Sequence, residues 1–178
     1  MNHADHVALL RGGIETIGGV WADFGSGIGA FTLALADLIG PTGVITSIDR
    51  DRSALAQQER SMLARFPNSI VHYRPADFTR PIRDSVPALD GIVMANSLHF
   101  HQRPEPIVQL LKSYLRPHGR FILIEYNLEQ GNSAVPYPVS YRQWEEIAQH
   151  CGFTHTQLLL TRPSRFLKEI YSAVSWSN

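Results

Sequence analysis

The residues best suited to chemistry begin at Asp23, where an apolar run meets a turn that contains three glycines. Residues 20–29 have the sequence VWADFGSGIG, and apolar residues then recur at helical spacing over residues 30–35. This pattern predicts a strand, a tight turn and the start of a helix. Glycine lets the main chain adopt positive φ and lets a ligand approach it closely. The unpaired N–H groups at the helix start favour a negatively charged ligand group.

A second feature indicates the kind of ligand. Residues 44–48 form a run rich in β-branched side chains that ends at Asp49, 20 positions after Gly29. An acid at the tip of a second strand, at this distance from a glycine turn, can accept hydrogen bonds from ribose hydroxyls. The alternative is an ordinary strand–helix–strand unit in which Asp49 caps the next helix. The spacing favours a ligand that contains a nucleoside.

Two histidines follow the buried strand that is predicted for Leu89–Ala95. Alternation along an extended segment would put His99 and His101 on one side, where they could act as a base or ligate a metal. No carboxylate or cysteine stands close to them in the sequence, so we predict no metal site. The pattern favours a packed or hydrogen-bonded structural role for each histidine and leaves a role as general base open.

Composition limits the classes of function. A chain of 178 residues with 44% hydrophobic and 18% charged residues fits one globular domain over residues 1–178. Sixteen basic and sixteen acidic residues cancel, and no basic cluster with interleaved aromatics is present, so we expect no nucleic-acid or membrane partner. No apolar run approaches the roughly 20 residues of a membrane span. We expect a cytoplasmic protein that is a monomer or a weak homodimer.

The elements that must position these residues alternate between strand and helix. Periodicity and breakers predict helices over residues 3–14, 30–39, 51–66, 104–115 and 140–150, and strands over residues 20–24, 44–48, 70–74, 89–95 and 120–126. Residues 153–161 and 166–174 predict an antiparallel hairpin. Residues 1–14 form an N-terminal helical segment that is expected to cover one edge of the sheet. Residues 80–87 predict a loop or one short helix, and residues 127–139 predict a long polar loop.

Together these features resemble the class I S-adenosylmethionine-dependent methyltransferases, over nearly the whole chain. The DFGSGIG segment at residues 23–29 is similar to the first motif of that family, an acid and alternating glycines after an apolar strand. The ADF segment at residues 76–78 is similar to the place where the family holds adenine. The LRPHGRF segment at residues 115–121 is close to the family's Leu-x-Pro-Gly-Gly turn, with His118 in place of a glycine.

The resemblance implies an α/β fold: a Rossmann-like, doubly wound sheet of seven strands in the order 3-2-1-4-5-7-6, mostly parallel with a C-terminal antiparallel hairpin. It implies S-adenosylmethionine as cofactor and S-adenosylhomocysteine as product. The residues implied to bind the cofactor are Asp23, Gly25, Ser26, Gly27, Gly29, Asp49, Arg50, Asp77, Phe78 and Asn96.

Individual roles follow from the same resemblance. Asp49 would bind the ribose, and Asp77 would accept the adenine amino group while Phe78 packs on the ring. Asp77 has an alternative role as the cap of a following turn. Asp23 would serve the ammonium group of the cofactor or, equally, hold the glycine turn in shape.

The activity that the resemblance implies is methyl transfer to a small-molecule acceptor by in-line displacement, with the loop over residues 127–139 near the acceptor. His99 or His101 would act as base where the acceptor must lose a proton. A small NAD(P)-dependent oxidoreductase is an alternative that the glycine turn allows. Short-chain oxidoreductases of this size carry a catalytic Tyr-x-x-x-Lys pair. This alternative is disfavoured because none of the tyrosines here has a lysine four residues later. A non-catalytic S-adenosylmethionine-binding module is the other alternative.

Overall fold

The computed structural model describes residues 1–82, 86–164 and 167–178. Within them the helices are α1 (His3–Arg11), α2 (Ala30–Ile39), α3 (Arg52–Arg65), α4 (Glu105–Lys112) and α5 (Tyr141–His150). The strands are β1 (Val20–Phe24), β2 (Val44–Asp49), β3 (Ile70–Pro75), β4 (Leu89–Ala95), β5 (Leu115–Tyr126), β6 (His155–Pro163) and β7 (Glu169–Trp176). Among the described residues, no helix has the length and apolar character needed to cross a membrane.

All seven strands belong to one sheet in the order β3-β2-β1-β4-β5-β7-β6. The pairs β1–β2, β2–β3, β1–β4 and β4–β5 are parallel, whereas β7 pairs antiparallel with both β5 and β6. This confirms the predicted fold and strand order, including the C-terminal hairpin. The strand order reverses between β1 and β4, and open α/β sheets bind ligands at the carboxyl ends of the strands beside such a reversal.

The central strands have near-continuous apolar sequences because helices cover both faces of the sheet. Alternate residues of β4 enter different cores: Ile92 and Met94 pack with α4 and α5, and Val93 packs with α1 and α2. All three side chains are fully buried. A sheet that is covered on both faces holds its strand ends rigidly, which fixes the residues that follow them.

The N-terminal segment packs on one face of the sheet, near its β6 edge. Leu9 and Leu10 of α1 are fully buried in the core shared with α2, and the ring of His6 lies 4.8 Å from that of Phe31. An ion pair between Arg162 of β6 and Asp5 ties the start of α1 to the sheet. The segment therefore completes the helical layer on that face.

Two predicted segments extend into residues that the structure does not describe. Residues 83–85 lie inside the predicted loop over residues 80–87, and Phe166 begins the predicted last strand; both lie outside the described residues. A third segment differs from its prediction: β5 begins at Leu115 and includes the expected turn at residues 117–119. His118 there adopts φ 61°, the left-handed conformation that glycine takes most easily.

Candidate active site

A cavity of about 390 Å³ opens at the carboxyl ends of β1, β2, β3 and β4, where the strand order reverses. This volume is in the range of small-molecule and cofactor sites, roughly 300–1,000 Å³. The described residues that line it are Gly25, Gly27, Ile28, Asp49, Arg50, Asp51, Ala54, Ala76, Asp77, Phe78, Thr79, Asn96, Ser97, Phe100 and His101. The cavity therefore gathers segments that are far apart in sequence.

Two glycines of the turn after β1 are required for different reasons. Gly27 has φ 53° and lines the cavity, and a Cβ added there would meet nothing within 4 Å. Gly29, at φ 87°, precedes α2, and a Cβ there would come within 2.2 Å of the Gln58 side chain of α3. Gly27 thus leaves open space for a ligand beside the main chain, whereas Gly29 lets α3 pack closely on the turn.

Asp49 is held at the rim of the cavity by main-chain donors on either side. The N–H of Gly27 donates to Oδ2 at 2.8 Å, and the N–H of Asp51 donates to Oδ1 at 2.8 Å. The alternative role of Asp49 as a helix cap is wrong, because Asp51 caps α3 by accepting from the N–H groups of Ser53 and Ala54. Each Asp49 oxygen keeps further lone-pair capacity for hydroxyl donors.

Asp77 and Phe78, which follow β3, also line the cavity. The Oδ1 atom of Asp77 accepts from the N–H and the hydroxyl of Thr79, at 3.0 and 2.7 Å. These bonds, led by that from the hydroxyl, lower the pKa of Asp77, so its carboxylate is charged at neutral pH. The turn-stabilising role left open for Asp77 is therefore present in the structure. Phe78 packs edge-on against His101 with ring centroids 5.6 Å apart.

Three of the predicted cofactor residues, Asp23, Ser26 and Gly29, are not among the described residues that line the cavity. Asp23 is 1% exposed, and its Oδ2 accepts from the Thr32 hydroxyl of α2 at 2.6 Å. Burial raises the pKa of Asp23 to about 7. Ser26 Oγ accepts from Ser47 Oγ at 2.7 Å. Asp23 thus bonds to α2 and Ser26 to β2, and cofactor contact through the three residues stays a prediction.

Asn96 follows β4 with an unusual backbone conformation and an unpaired acceptor. Its φ is 50°, and its Oδ1 atom is buried in the cavity wall without a hydrogen-bond partner. Leaving a buried acceptor unpaired costs about 1–3 kcal/mol, which a donor on a bound ligand would recover. The residues present therefore fit a ligand that has several hydrogen-bonding groups, as a nucleoside joined to an amino acid does.

His99 forms a buried pair with Glu125 of β5. The two side chains are 3% and 0% exposed, and His99 Nδ1 lies 2.6 Å from Glu125 Oε2. The other carboxylate oxygen accepts from the N–H groups of Leu98 and His99, at 3.0 and 3.3 Å. Glu125 was not among the predicted site residues. Its signal in the sequence is a single acid within the otherwise apolar run FILIEY at residues 121–126.

The expectation that His99 and His101 share one side of an extended segment is wrong. Residues Leu98–Phe100 form a short 3-10 helix, which separates the two imidazoles. His99 points to Glu125, whereas His101 lines the cavity against Phe78. Burial lowers the pKa of His101, which keeps its ring neutral at pH 7. Among the described residues, no group of three or more His, Cys, Asp or Glu side chains could hold a metal ion.

A family model described as a methyltransferase domain matches residues 22–121. No curated protein matches the sequence. The YcgJ protein from Bacillus subtilis superimposes with a TM-score of 0.78 at 11% identity, over 99% of both chains. Precorrin-6y C5,15-methyltransferase from Geobacter metallireducens GS-15 has a TM-score of 0.70 at 18% identity, over 99% of this chain and 87% of that one.

A third solved structure, the CurJ carbon methyltransferase, has a TM-score of 0.74 at 16% identity, over 90% of this chain. The chain spans about half the length of the first two solved structures that it matches, 55% of one and 49% of the other. At these identities the structural likenesses show the fold alone. The family match covers more than half of the chain and includes the glycine turn, Asp49 and Asp77.

Proposed function

The chain belongs to the class I S-adenosylmethionine-dependent methyltransferases, and on that premise we propose that it transfers a methyl group to a small-molecule acceptor. The observation that carries the proposal is one cavity, beside the reversal of strand order, to which seven of the predicted cofactor residues contribute. These are Gly25, Gly27, Asp49, Arg50, Asp77, Phe78 and Asn96. The family match favours S-adenosylmethionine over the nicotinamide cofactor that the glycine turn alone left open.

Each wall of the cavity suits a different part of S-adenosylmethionine. Asp49, held by two main-chain donors, would accept from the ribose hydroxyls. Phe78 would pack on the adenine ring, with Asp77 accepting from the adenine amino group. The open space beside Gly27 would take the amino-acid end against the main chain. Asp23 would act from behind this turn through its bond to Thr32.

When bound, S-adenosylmethionine supplies a methyl group that is activated by the positive charge of its sulfonium. An acceptor atom takes this methyl group by in-line displacement, and the leaving group is S-adenosylhomocysteine, whose sulfur is uncharged. The chain contributes alignment and exclusion of water, and effective molarities from such positioning offset roughly 7 kcal/mol or more of barrier. Phe100 and His101, both after β4, line the cavity that must position the acceptor.

The pair of His99 and Glu125 supports a role for His99 as general base. A carboxylate at 2.6 Å favours the tautomer in which Nδ1–H of His99 donates to Glu125, and in that tautomer Nε2 carries the lone pair. An imidazole fixed in one tautomer by a carboxylate takes a proton at its other nitrogen, as in other His–acid pairs. We assign Nε2 of His99 as the proton acceptor where the attacking atom of the acceptor carries a proton. His101 lines the cavity and would position the acceptor.

The choice of a small-molecule acceptor rests on the charge of the chain and on its organisation around one sheet. The numbers of basic and acidic residues are equal, which gives no general attraction to nucleic acid. The single seven-stranded sheet, which contains elements from both ends of the chain, supports one domain over residues 1–178. We further propose that the enzyme is cytoplasmic and is a monomer or a weak homodimer.

Calorimetry with S-adenosylhomocysteine and NAD, titrated separately into the same preparation, tests the cofactor. We expect S-adenosylhomocysteine to bind and NAD not to bind. Methyl transfer is then measured with S-adenosylmethionine that carries a labelled methyl group and a panel of phenols, amines, thiols and carboxylic acids. Tight binding of NAD would contradict the proposal. Transfer to a protein or nucleic acid in preference to every small molecule would contradict the acceptor class.

A further inference from the structure

A second cleft adjoins the cofactor cavity and has no role in the function proposed above. Its volume is about 320 Å³, and it lies between the start of α4, one side of α5 and the end of the loop over residues 127–139. His101 lines both spaces, so it forms part of the wall between them. A molecule seated in the second cleft would therefore reach the first past His101.

The second cleft is lined by acidic side chains. Glu105 at the start of α4 and Glu146 of α5 line it, and among the described residues no lysine or arginine does. Arg142 approaches Glu146 to 3.6 Å with both side chains mostly exposed, so part of the charge of Glu146 is compensated and that of Glu105 is the larger contribution. His101 adds no positive charge at neutral pH, because burial lowers its pKa. The cleft therefore presents net negative charge to anything that enters it.

The remaining lining supplies hydrogen-bonding groups and a flat apolar surface. Gln143 and His150 come from α5, and Tyr137 and Pro138 come from the loop. The loop is fixed to the catalytic segment, because the N–H of Tyr137 donates to the carbonyl of His99 at 3.0 Å. One main-chain hydrogen bond therefore joins the loop that lines the cleft to the residue assigned as base.

We propose that this second cleft is the acceptor subsite and that it takes a small molecule that carries a protonated amine. The inference rests on the proposed function and names the substrate class for it. Glu105 and Glu146 would hold the ammonium group by charge-assisted hydrogen bonds. The acceptor's other end would extend past His101 towards the cofactor cavity. A carboxylic acid of the same shape would be rejected, because the same two carboxylates repel it.

Three probes of similar shape and different charge test the proposal: tyramine, 4-ethylphenol and 4-hydroxyphenylacetate. Each is titrated into the protein saturated with S-adenosylhomocysteine, and binding is followed by saturation-transfer NMR. We expect tyramine to bind about tenfold more tightly than 4-hydroxyphenylacetate, which is the factor that one charge-assisted hydrogen bond supplies. The neutral phenol should lie between them.

Variants then assign the preference to the cleft. Glu105→Gln combined with Glu146→Gln should weaken tyramine binding about tenfold and leave binding of S-adenosylhomocysteine unchanged. Glu59→Gln is the matched control, because Glu59 is an exposed acid of α3 that lines neither space. This control should leave the binding of every probe unchanged. Thermal unfolding of each variant checks that the fold is retained.

The outcomes separate the two proposals. Equal binding of amine and acid, binding of no probe at millimolar concentration, or an amine preference that survives in the double variant would each overturn the acceptor subsite. If S-adenosylhomocysteine binds normally in those cases, the proposed function stands. If S-adenosylhomocysteine itself does not bind, the proposed function is overturned together with the subsite that rests on it.

Discussion

The imidazole of His99 and the carboxylate of Glu125 are joined by a 2.6 Å contact inside the protein, although 26 residues separate them in sequence. The parallel pairing of β4 with β5, which sets Ala95 opposite Ile124, brings them together. Burying an imidazole and a carboxylate with no mutual contact would be costly, so the pair stabilises the segment after β4 as well as orienting the ring. This structural role is compatible with the catalytic role proposed for His99, and a measurement has to separate the two.

Replacing His99 by alanine should lower kcat about 100-fold or more, in the range that a positioned general base contributes. Binding of S-adenosylhomocysteine should not change, because His99 is not among the described residues that line the cofactor cavity. Single-turnover methyl transfer and calorimetry on the same preparation measure the two quantities. Thermal unfolding is the control. If the variant loses activity only in proportion to the protein that has unfolded, His99 has a structural role alone.

Glu125→Gln separates orientation from charge in the same pair. Glutamine has nearly the same shape and can still accept one hydrogen bond, but it gives weaker electrostatic support to an imidazolium. We expect kcat to fall while the binding of S-adenosylhomocysteine is unchanged, because neither residue is among the described residues that line the cofactor cavity. An unchanged kcat would contradict the assignment of His99 as base.

Asp49→Ala should weaken the binding of S-adenosylmethionine by about 1–3 kcal/mol, because it removes hydrogen bonds from a charged acceptor. The matched control is Asp37→Ala, which removes an acid of α2 that pairs with His3 and is not among the described residues of the cavity. Calorimetry with both variants gives the comparison. Equal affinity in Asp49→Ala and the parent protein would show that the ribose lies elsewhere.

Substitutions at Gly27 and at Gly29 should have different main consequences. Gly27→Ala should abolish or strongly weaken cofactor binding, because its methyl group would project into the open space that the ligand needs, and Gly27→Val should be more severe. Gly27→Ala should lower the free energy of unfolding by roughly 1–2 kcal/mol, which is the cost of a left-handed backbone at a residue with a side chain. Gly29→Ala should instead destabilise the fold further, because its Cβ would overlap the Gln58 side chain.

Thermal unfolding and calorimetry on both variants test this contrast. The expected pattern is a binding defect with modest loss of stability for Gly27→Ala, and a larger loss of stability for Gly29→Ala. A Gly27→Ala protein that binds S-adenosylhomocysteine normally would place the ligand away from the turn.

The parts of the site that could be predicted are those encoded locally. The glycine turn, the acid at the end of β2 and the alternating apolar runs each lie within one short segment, and together they carry the family resemblance that implies the fold and the cofactor site. The contact between His99 and Glu125 depends instead on the register of β4 against β5, which no local pattern specifies. The 3-10 turn at Leu98–Phe100 likewise replaced the extended segment expected there, because the main chain bonds to Glu125.

The hydrogen bond of Asp23 is likewise not specified by a local pattern, since its partner Thr32 lies across the turn on α2. The burial of Asp23 also predicts how the free energy of unfolding depends on pH. Burial raises the pKa of Asp23 from 3.8 to about 7. Between these values the folded protein binds a proton that the unfolded chain does not, so the free energy of unfolding falls as the pH rises. The stabilisation that the folded protein gains from this bound proton is complete below pH 3.8 and is lost as the pH passes 7. From pH 5 to pH 8 the loss should be roughly 2–3 kcal/mol.

Asp23→Asn isolates this contribution, because asparagine has no charge to bury and its side-chain oxygen can still accept from Thr32. The variant should be more stable than the parent protein at pH 8, and the difference should diminish towards pH 5 as Asp23 becomes protonated. Urea unfolding at both pH values measures it, and the difference between the proteins cancels the other titrating groups. Parallel stability curves for parent and variant would show that Asp23 is charged throughout.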